Sequence, residues 1–336
     1  MPYGRVLPSN HDGLRFLELL ESPWYRGVAR LQSRLALATA EFWGRQGVLA
    51  ALLPITTGSI SSPMGLGSDS SPVEIELFGR STYLADSMQF GLEYMCRLAD
   101  GGAWYLMPSF RGERADESHL CQFVHSEVEI PCTFDECLGV AERYVCYLTS
   151  EILKWESDFL SDFVPDLSHL DRLAIEGIER MSFEQAFSLL SHDSRFVTSG
   201  GGGWRGLTRA GEVEVLRHVG RPVWITHWDH LSVPFYQAFD PGRETSALCA
   251  DLLMGLGEVL GLGERHASAD DLRRAMAVHS VDEAPYSWYV QMREAFPIQT
   301  SGFGLGTERF LAWITGHPDV RDFQILPRHY GLDLLP

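Results

Sequence analysis

The chain has 336 residues, of which 45% are hydrophobic and 21% charged, with a formal net charge of −18. This is an ordinary globular composition, long enough for one large core or two modest ones. No apolar run reaches membrane-spanning length, the N-terminus lacks a basic segment followed by an apolar one, and Cys96, Cys121, Cys132, Cys137, Cys146 and Cys249 show no CxxC spacing. A membrane protein, a zinc ribbon and a disulfide framework are therefore not expected, and a cytoplasmic protein with buried reduced thiols is. The acidic excess, with Lys154 the single lysine, argues weakly against a polyanionic partner, because a local basic patch remains compatible with it.

In chain order, residues 26–46 place Val28, Leu31, Leu35, Ala38 and Phe42 at helical spacing, and Gly47 closes the helix. A short strand runs on to Pro54. From Thr56 to Ser71 the composition turns to Gly, Ser, Pro and Thr, which predicts a mobile loop or a simple connector. The strand Val73 to Phe78, a turn at Gly79 and Arg80, and a second strand from Tyr83 to Ala85 lead into the segment Asp86 to Met95.

Phe110 to Glu129 reads as a strand carrying Arg111 and Glu113, a polar loop through Ser118, and a returning strand with Phe123, Glu127 and Glu129 at alternate positions. One hairpin thus presents an arginine for phosphate, a carboxylate acceptor and an aromatic platform. Residues 136–163 form a long helix with Val140, Tyr144, Tyr147, Leu148 and Ile152 on one side, followed by a turn region from Phe163 to Asp171. Ser199 to Gly203 is a glycine surface loop without the lysine of a phosphate loop. Arg221 to Tyr236 reads as two strand-like pieces around a polar turn, where His227 and His230 are either substrate-facing or plain surface histidines.

Asp251 and Glu258 lie seven residues apart, with Arg265 seven further on. By spacing alone these are solvated charges on a helix. Another amphipathic helix covers Asp270 to His279. The run Gly302 to Arg309, GFGLGTER, sets three glycines at alternate positions and an arginine where strand becomes helix. Such a strand has one face stripped of side chains, so that a flat group can lie on the backbone beside the arginine. A glycine-rich turn with a surface arginine fits the same residues.

Taken together, the Phe110–Glu129 hairpin and the GFGLGTER run resemble motifs 2 and 3 of class II aminoacyl-tRNA synthetases, in the aspartyl and asparaginyl branch, and the resemblance extends over roughly residues 26 to 328. It implies an α+β fold, an antiparallel β-sheet core flanked by helices, with residues 26–336 as one catalytic domain after an extension of residues 1–25. The 26–54 segment resembles motif 1, which implies a homodimer interface; otherwise it is an amphipathic core helix. By the same resemblance the 56–71 loop closes over the amino acid.

The resemblance implies that ATP and Mg²⁺ are used. Arg111 would meet the α-phosphate and the substrate carboxylate, and Arg309 the far adenine face and γ-phosphate. Phe123 would take the near adenine face and Glu113 its edge, with His119, Gly304 and Gly306 completing the ATP surface. Asp251 and Glu258 would hold Mg²⁺. Glu127 would accept the substrate ammonium, with Ser87, Gln89, Leu92, His125, Arg265 and Gly302 around the rest of the amino acid. Leu92 stands where aspartate-specific relatives carry a lysine, which leans the pocket towards a neutral side chain, or a carboxylate held elsewhere. Gln291, Gln299 and Thr300 depart from the family pattern and leave substrate identity open, and Asp229 and Val233 depart from it in the 221–236 loop, to which the resemblance carries over less well.

Few residues precede motif 1, so the anticodon-reading barrel of the branch is not expected. The loop of Arg114, Asp116, Glu117, Ser118 and His119 is mixed and partly acidic, which disfavours acceptor-stem phosphates. The leading expectation is an amide-forming ligase that passes the acyl adenylate to ammonia or a small amine, like stand-alone asparagine-synthetase relatives. The alternatives are a shortened synthetase charging tRNA or a carrier, and a non-catalytic regulator that binds ATP or an amino acid.

Overall fold

The computed structural model describes residues 15–61, 71–191 and 193–328. Its centre is an eight-stranded sheet: β1 (Leu49–Ala50), β2 (Ala103–Phe110), β3 (Gln122–Ile130), β4 (Glu179–Ser182), β5 (Val223–Thr226), β6 (Cys249–Met254), β7 (Gly257–Glu264) and β8 (Ser301–Gly306). The strands lie in the order β1-β2-β3-β8-β7-β6-β5-β4. Pairing is antiparallel from β2 through to β5, and parallel only at the two edges, β1 with β2 and β4 with β5. The expected antiparallel core is present, with a parallel strand added at each rim.

Strand alternation divides the sheet into an apolar and a polar face. Val128, Phe303, Leu262 and Ala250 form one cross-strand row, and Leu305, Leu260, Leu252 and Trp224 lie in the next. All eight belong to the main hydrophobic core, together with Leu31, Leu35 and Trp43 of helix α1 (Pro23–Arg45) and Tyr144 and Leu148 of helix α3 (Phe134–Phe163). Pro23 pre-sets the first turn of α1. Gly27 lets α1 meet α3 closely, since a Cβ there would fall 1.8 Å from the Phe159 ring. A Thr133–Glu136 capping box starts α3, and non-helical backbone at Glu156 kinks it. The polar face is flanked by α2 (Gln89–Met95), α5 (Ala269–His279) and α6 (Ser287–Ala295), whose apolar residues, Leu272 and Met276 of α5 among them, pack with Phe90 and Tyr289; α4 (Arg209–Val219) abuts β7, and α7 (Thr307–Thr315) follows β8.

Several local expectations are corrected. Of the residues spaced along α1, Phe42 is only partly buried, and the neighbouring Trp43 takes the core position instead. A helix, Ser168–Glu176, begins inside the expected 163–171 turn, and Ser199 to Gly203 joins two short paired strands, Val197–Ser199 and Arg205–Leu207. Only the first half of Arg221–Tyr236 is a strand; His230–Ser232 is a short 3-10 turn. The Asp251–Arg265 stretch is the β6–β7 hairpin, because Gly255 and Gly257 take positive φ and turn the chain. Cys96, Cys137 and Cys249 are buried as expected, but Cys146 is exposed. Residues 62–70 of the expected loop lie outside the described residues. No helix among the described residues is long and apolar enough to cross a membrane.

Candidate active site

Glycine empties the middle of the polar face. One cross-strand row runs Tyr105, Glu127, Gly304, Gly261, Asp251, and the next runs Ala103, Glu129, Gly302, Gly263, Cys249. A Cβ on Gly302 would lie 2.0 Å from Glu129 Oε2, and one on Gly263 would lie 1.9 Å from Gln237 Oε1. The stripped strand expected at 302–306 is therefore real, and β7 adds a second, unexpected one beside it. Together they form the floor of a cleft.

At one end is a cavity of about 290 Å³ lined by Arg111, Glu113, His119, Phe123, Glu258 and Arg309, with Gly304 and Gly306 at its floor. The Arg111 guanidinium carbon sits 5.5 Å from the Phe123 ring centre, and its Nε is buried without a hydrogen-bond partner among the described residues. Arg309 donates only to carbonyls, Nε to Ser118 O at 3.0 Å and a terminal nitrogen to Glu258 O at 2.5 Å. Burial lowers its pKa from the ordinary arginine value, against the pull of Glu258 and Glu212. Two guanidiniums that form no ion pair among the described residues, in one cavity, create a strong demand for an anion.

The loop that bears His119 is tied down by Asp116, which accepts from Ser118 N at 2.7 Å and His119 N at 2.8 Å. Burial opposes it, yet these bonds hold the Asp116 carboxyl down at about 2. One oxygen of Glu113 accepts from Ser71 N at 2.7 Å, and Ser71 O accepts from Gly112 N at 2.7 Å. The far end of the 56–71 loop is thus anchored beside the cavity of Arg111 and Arg309. Its near end, Ser61, donates to both oxygens of Asp86.

At the other end the groups are paired with one another. Ser87 Oγ donates to Glu127 Oε2 at 2.6 Å, and His125 Nδ1 lies 2.8 Å from Glu127 Oε1. Burial raises the Glu127 pKa, but hydrogen bonds from His125, Ser87 and Tyr105 outweigh it and leave the carboxyl below its ordinary value. Arg265, 4% exposed, forks onto Glu129 at 3.1 to 3.2 Å and donates to Gln237 Oε1 at 2.9 Å. Burial pushes Glu129 up to about 7, with Arg265 pulling down and Glu93 pushing up.

Leu92 is fully buried beside Ala51, Ala103 and Tyr105, so it contributes packing and no polar group. The adjacent Glu93 holds the charge instead. It accepts from Gln89 Nε2 at 3.1 Å, from Tyr289 Oη at 2.6 Å and from Arg293. Sequence reasoning missed Glu93, Tyr289, Arg293 and Gln237; an acid and an arginine on otherwise apolar helix faces were the available signal. His230 is buried against His279 and Gln237 O, while His227, in a left-handed backbone conformation, faces the Phe134 ring. Neither lines the cavity of Arg111 and Arg309.

Asp251 and Glu258 converge over Gly261, whose Cβ would fall 3.6 Å from Asp251 Oδ1 and 3.0 Å from Glu258 Oε1. Burial, then Glu258, then Glu212 push the Asp251 carboxyl well above its ordinary range. No set of three or more metal-binding side chains converges among the described residues. Two crowded carboxylates beside an anion site nevertheless fit Mg²⁺, which takes one or two protein carboxylates and fills its shell with phosphate and water.

The sequence model of the class II tRNA synthetases (D, K and N) matches residues 12–330. The fold is similar to asparaginyl-tRNA synthetase from Pyrococcus horikoshii solved with asparaginyl-adenylate, with a TM-score of 0.84 and 24% identity over 96% of this chain and 74% of that one. It is similar to the Entamoeba histolytica asparaginyl enzyme in complex with asparaginyl-adenylate (TM-score 0.81, 22% identity, 98% and 72% coverage). The Entamoeba histolytica aspartyl tRNA synthetase shares the fold at a TM-score of 0.77 and 19% identity, over 98% of this chain and 64% of that one. With a match over almost its whole length, the chain belongs to the class II tRNA synthetases (D, K and N), ligases that adenylate amino acids.

Proposed function

We propose that the protein activates an aspartate- or asparagine-like amino acid with ATP and passes the acyl group to ammonia or a small amine, forming an amide. A carboxylate oxygen attacks the α-phosphorus, the bond to the bridging oxygen breaks, and pyrophosphate leaves. The amine nitrogen then attacks the acyl carbon, loses a proton, and expels AMP. The protein's task is to align and to stabilise charge. Arg111 and Arg309 serve the phosphates, Phe123 the adenine ring, Glu113 its edge, and Glu127 with Ser87 the ammonium. Asp251 and Glu258 would hold Mg²⁺, which neutralises phosphate charge when bound.

The observation that carries this reading is the pair of arginines around Phe123 that form no ion pair among the described residues, set beside two crowded carboxylates on one glycine floor. For the acceptor, support comes from the 114–119 loop. Asp116 ties Ser118 and His119 inward, and Glu117 O accepts from Val320 N at 2.9 Å, which leaves a folded, partly acidic loop. Such a surface suits a small neutral amine better than a phosphate backbone. Transfer to tRNA is the second reading, favoured by the tRNA synthetases that share the fold.

ATP–pyrophosphate exchange over a panel of amino acids tests the activation step. Arg111→Ala and Arg309→Ala should each slow exchange by at least about a hundredfold with the fold intact; exchange at the wild-type rate removes the assignment. Ammonia- or amine-dependent AMP release supports amide formation, and labelled amino acid retained on bulk tRNA refutes it.

A further inference from the structure

Beside Arg111, Arg114 and Arg309, which line the cavity, a further arginine contacts its wall from an element to which the sequence motifs assign nothing. Arg209 is the first residue of α4, whose N-cap Thr208 accepts from Gly211 N at 3.1 Å. The turn is pressed close to its neighbour, since a Cβ on Gly211 would fall 2.0 Å from Phe196 O. This turn docks on the cleft at two points. Arg209 donates to Ser118 Oγ, and one turn later Glu212 accepts from Glu258 N at 3.2 Å.

Ser118 and Glu258 both line the nucleotide cavity, and their carbonyls are the two acceptors of Arg309. Arg209 and Arg309 therefore hold the same residue, Ser118, from two separate helices. Among the described residues Arg209 makes no ion pair, although the chain has 45 acidic residues against 27 Lys and Arg. Among the described residues Arg111, Arg209 and Arg309 form no ion pair with a carboxylate, and Glu212, which acts on both Arg209 and Arg309, is itself pushed up to about 7, chiefly by burial. Like charges gathered in this way are unfavourable until an anion with several oxygens joins them.

We infer that Arg209 is a phosphate-binding residue of this site, taking the terminal phosphate of ATP and the pyrophosphate that leaves. The inference rests on the ATP-dependent reading above but not on the identity of the amino acid or acceptor. It sets ATP apart from AMP: Arg111 and Phe123 serve the part common to both, and Arg209 serves only the polyphosphate.

The test is equilibrium binding of ATP, AMP and inorganic pyrophosphate, each with Mg²⁺, to the full chain and its variants. Arg209→Ala should weaken ATP and pyrophosphate by about tenfold or more, the loss of one charge-assisted hydrogen bond, and leave AMP within about twofold. Arg209→Lys should recover part of the loss. Ser118→Ala, which removes the hydroxyl contact and no charge, should leave the ratio of ATP to AMP affinity unchanged. The inference is overturned if Arg209→Ala binds ATP like the wild type, or if ATP and AMP weaken together, which would make Arg209 only a brace for the Ser118 loop. Weakened tRNA binding with unchanged ATP affinity would overturn it too. A wild-type protein that binds ATP but exchanges pyrophosphate with no amino acid would end the proposed function and leave this inference standing.

Discussion

Both carboxylate oxygens of Glu308 lie 3.2 Å from the backbone nitrogen of Val124, the residue between Phe123 and His125. Glu308 directly precedes Arg309 in the first turn of α7 and is 5% exposed. This contact joins the strand that carries the aromatic platform to the helix that carries the second arginine. Burial pushes the Glu308 carboxyl up, with the Val124 N–H pulling the other way.

Glu308→Ala should therefore leave a buried N–H without an acceptor, at a cost of about 1–3 kcal/mol. Glu308→Gln keeps an acceptor and should cost less. Urea unfolding reads the difference, and pyrophosphate exchange should fall further in the alanine variant because Phe123 and Arg309 lose their shared reference. Equal stability of the two variants would show that the Val124 contact does not hold the cleft.

The alternating glycines of β8 and the alternating polar residues of β3 were legible because a period of two is a local signal. The hairpin of β6 and β7 was not, since a spacing of seven between Asp251 and Glu258 also fits one face of a helix. What brings them together is the Gly255–Gly257 turn and a bulge between Leu252 and Leu253. The amino-acid end was least legible. Glu93 meets Arg293 across 200 positions and Arg265 meets Glu129 across 136, so no local pattern announces either pair. Arg209 was silent for the same reason, its partner Ser118 being 91 positions away.

In the amino-acid pocket that the resemblance implies, the Arg265–Glu129 pair would set the preference for charge. With Glu129 and Gln237 already on the guanidinium, a substrate carboxylate has a competitor. Glu129→Gln removes it and should shift pyrophosphate exchange towards aspartate over asparagine by about tenfold, while an unpaired buried arginine costs about 3–5 kcal/mol. Unchanged preference would exclude Arg265 from side-chain recognition.

The same glutamate predicts a pH slope. Burial raises Glu129 from 4.5 to about 7, so between these values the folded chain holds more protons than the unfolded one. Its contribution to stability is full below about pH 4.5 and is lost as pH rises through about 7. Urea midpoints measured from pH 5 to 7 should therefore fall more steeply in the wild type than in Glu129→Gln. Parallel slopes would contradict the raised value.

We expect a homodimer through residues 26–54. β1 is a two-residue edge strand paired only with β2, and beside it Leu49 is 50% and Leu52 100% exposed. An open edge with exposed leucines suits a second copy. Leu52→Asp touches no packed side chain of the monomer and should halve the mass measured by light scattering, to 37.7 kDa. A wild type that already scatters as a monomer at about 10 μM, a concentration at which a stable interface stays assembled, would rule this dimer out.

Asp251 and Glu258 crowd one another over Gly261, and the position of Asp251 well above the ordinary carboxylate range records that repulsion together with burial. An amide at this position cannot ionise, so it removes that repulsion, and it can donate to Glu258. Asp251→Asn should therefore melt about 1–2 °C higher than the wild type in EDTA, the shift expected for about 1 kcal/mol in a chain of 336 residues. In the presence of ATP, Mg²⁺ should raise the melting temperature of the wild type far more than that of the variant, because ligand binding to the folded state is read directly as stability. The variant thus gains stability without metal and loses its response to it. If Asp251→Asn responds to Mg²⁺ and ATP as the wild type does, the two carboxylates are not the ion's protein ligands, and the crowding over Gly261 serves some other purpose.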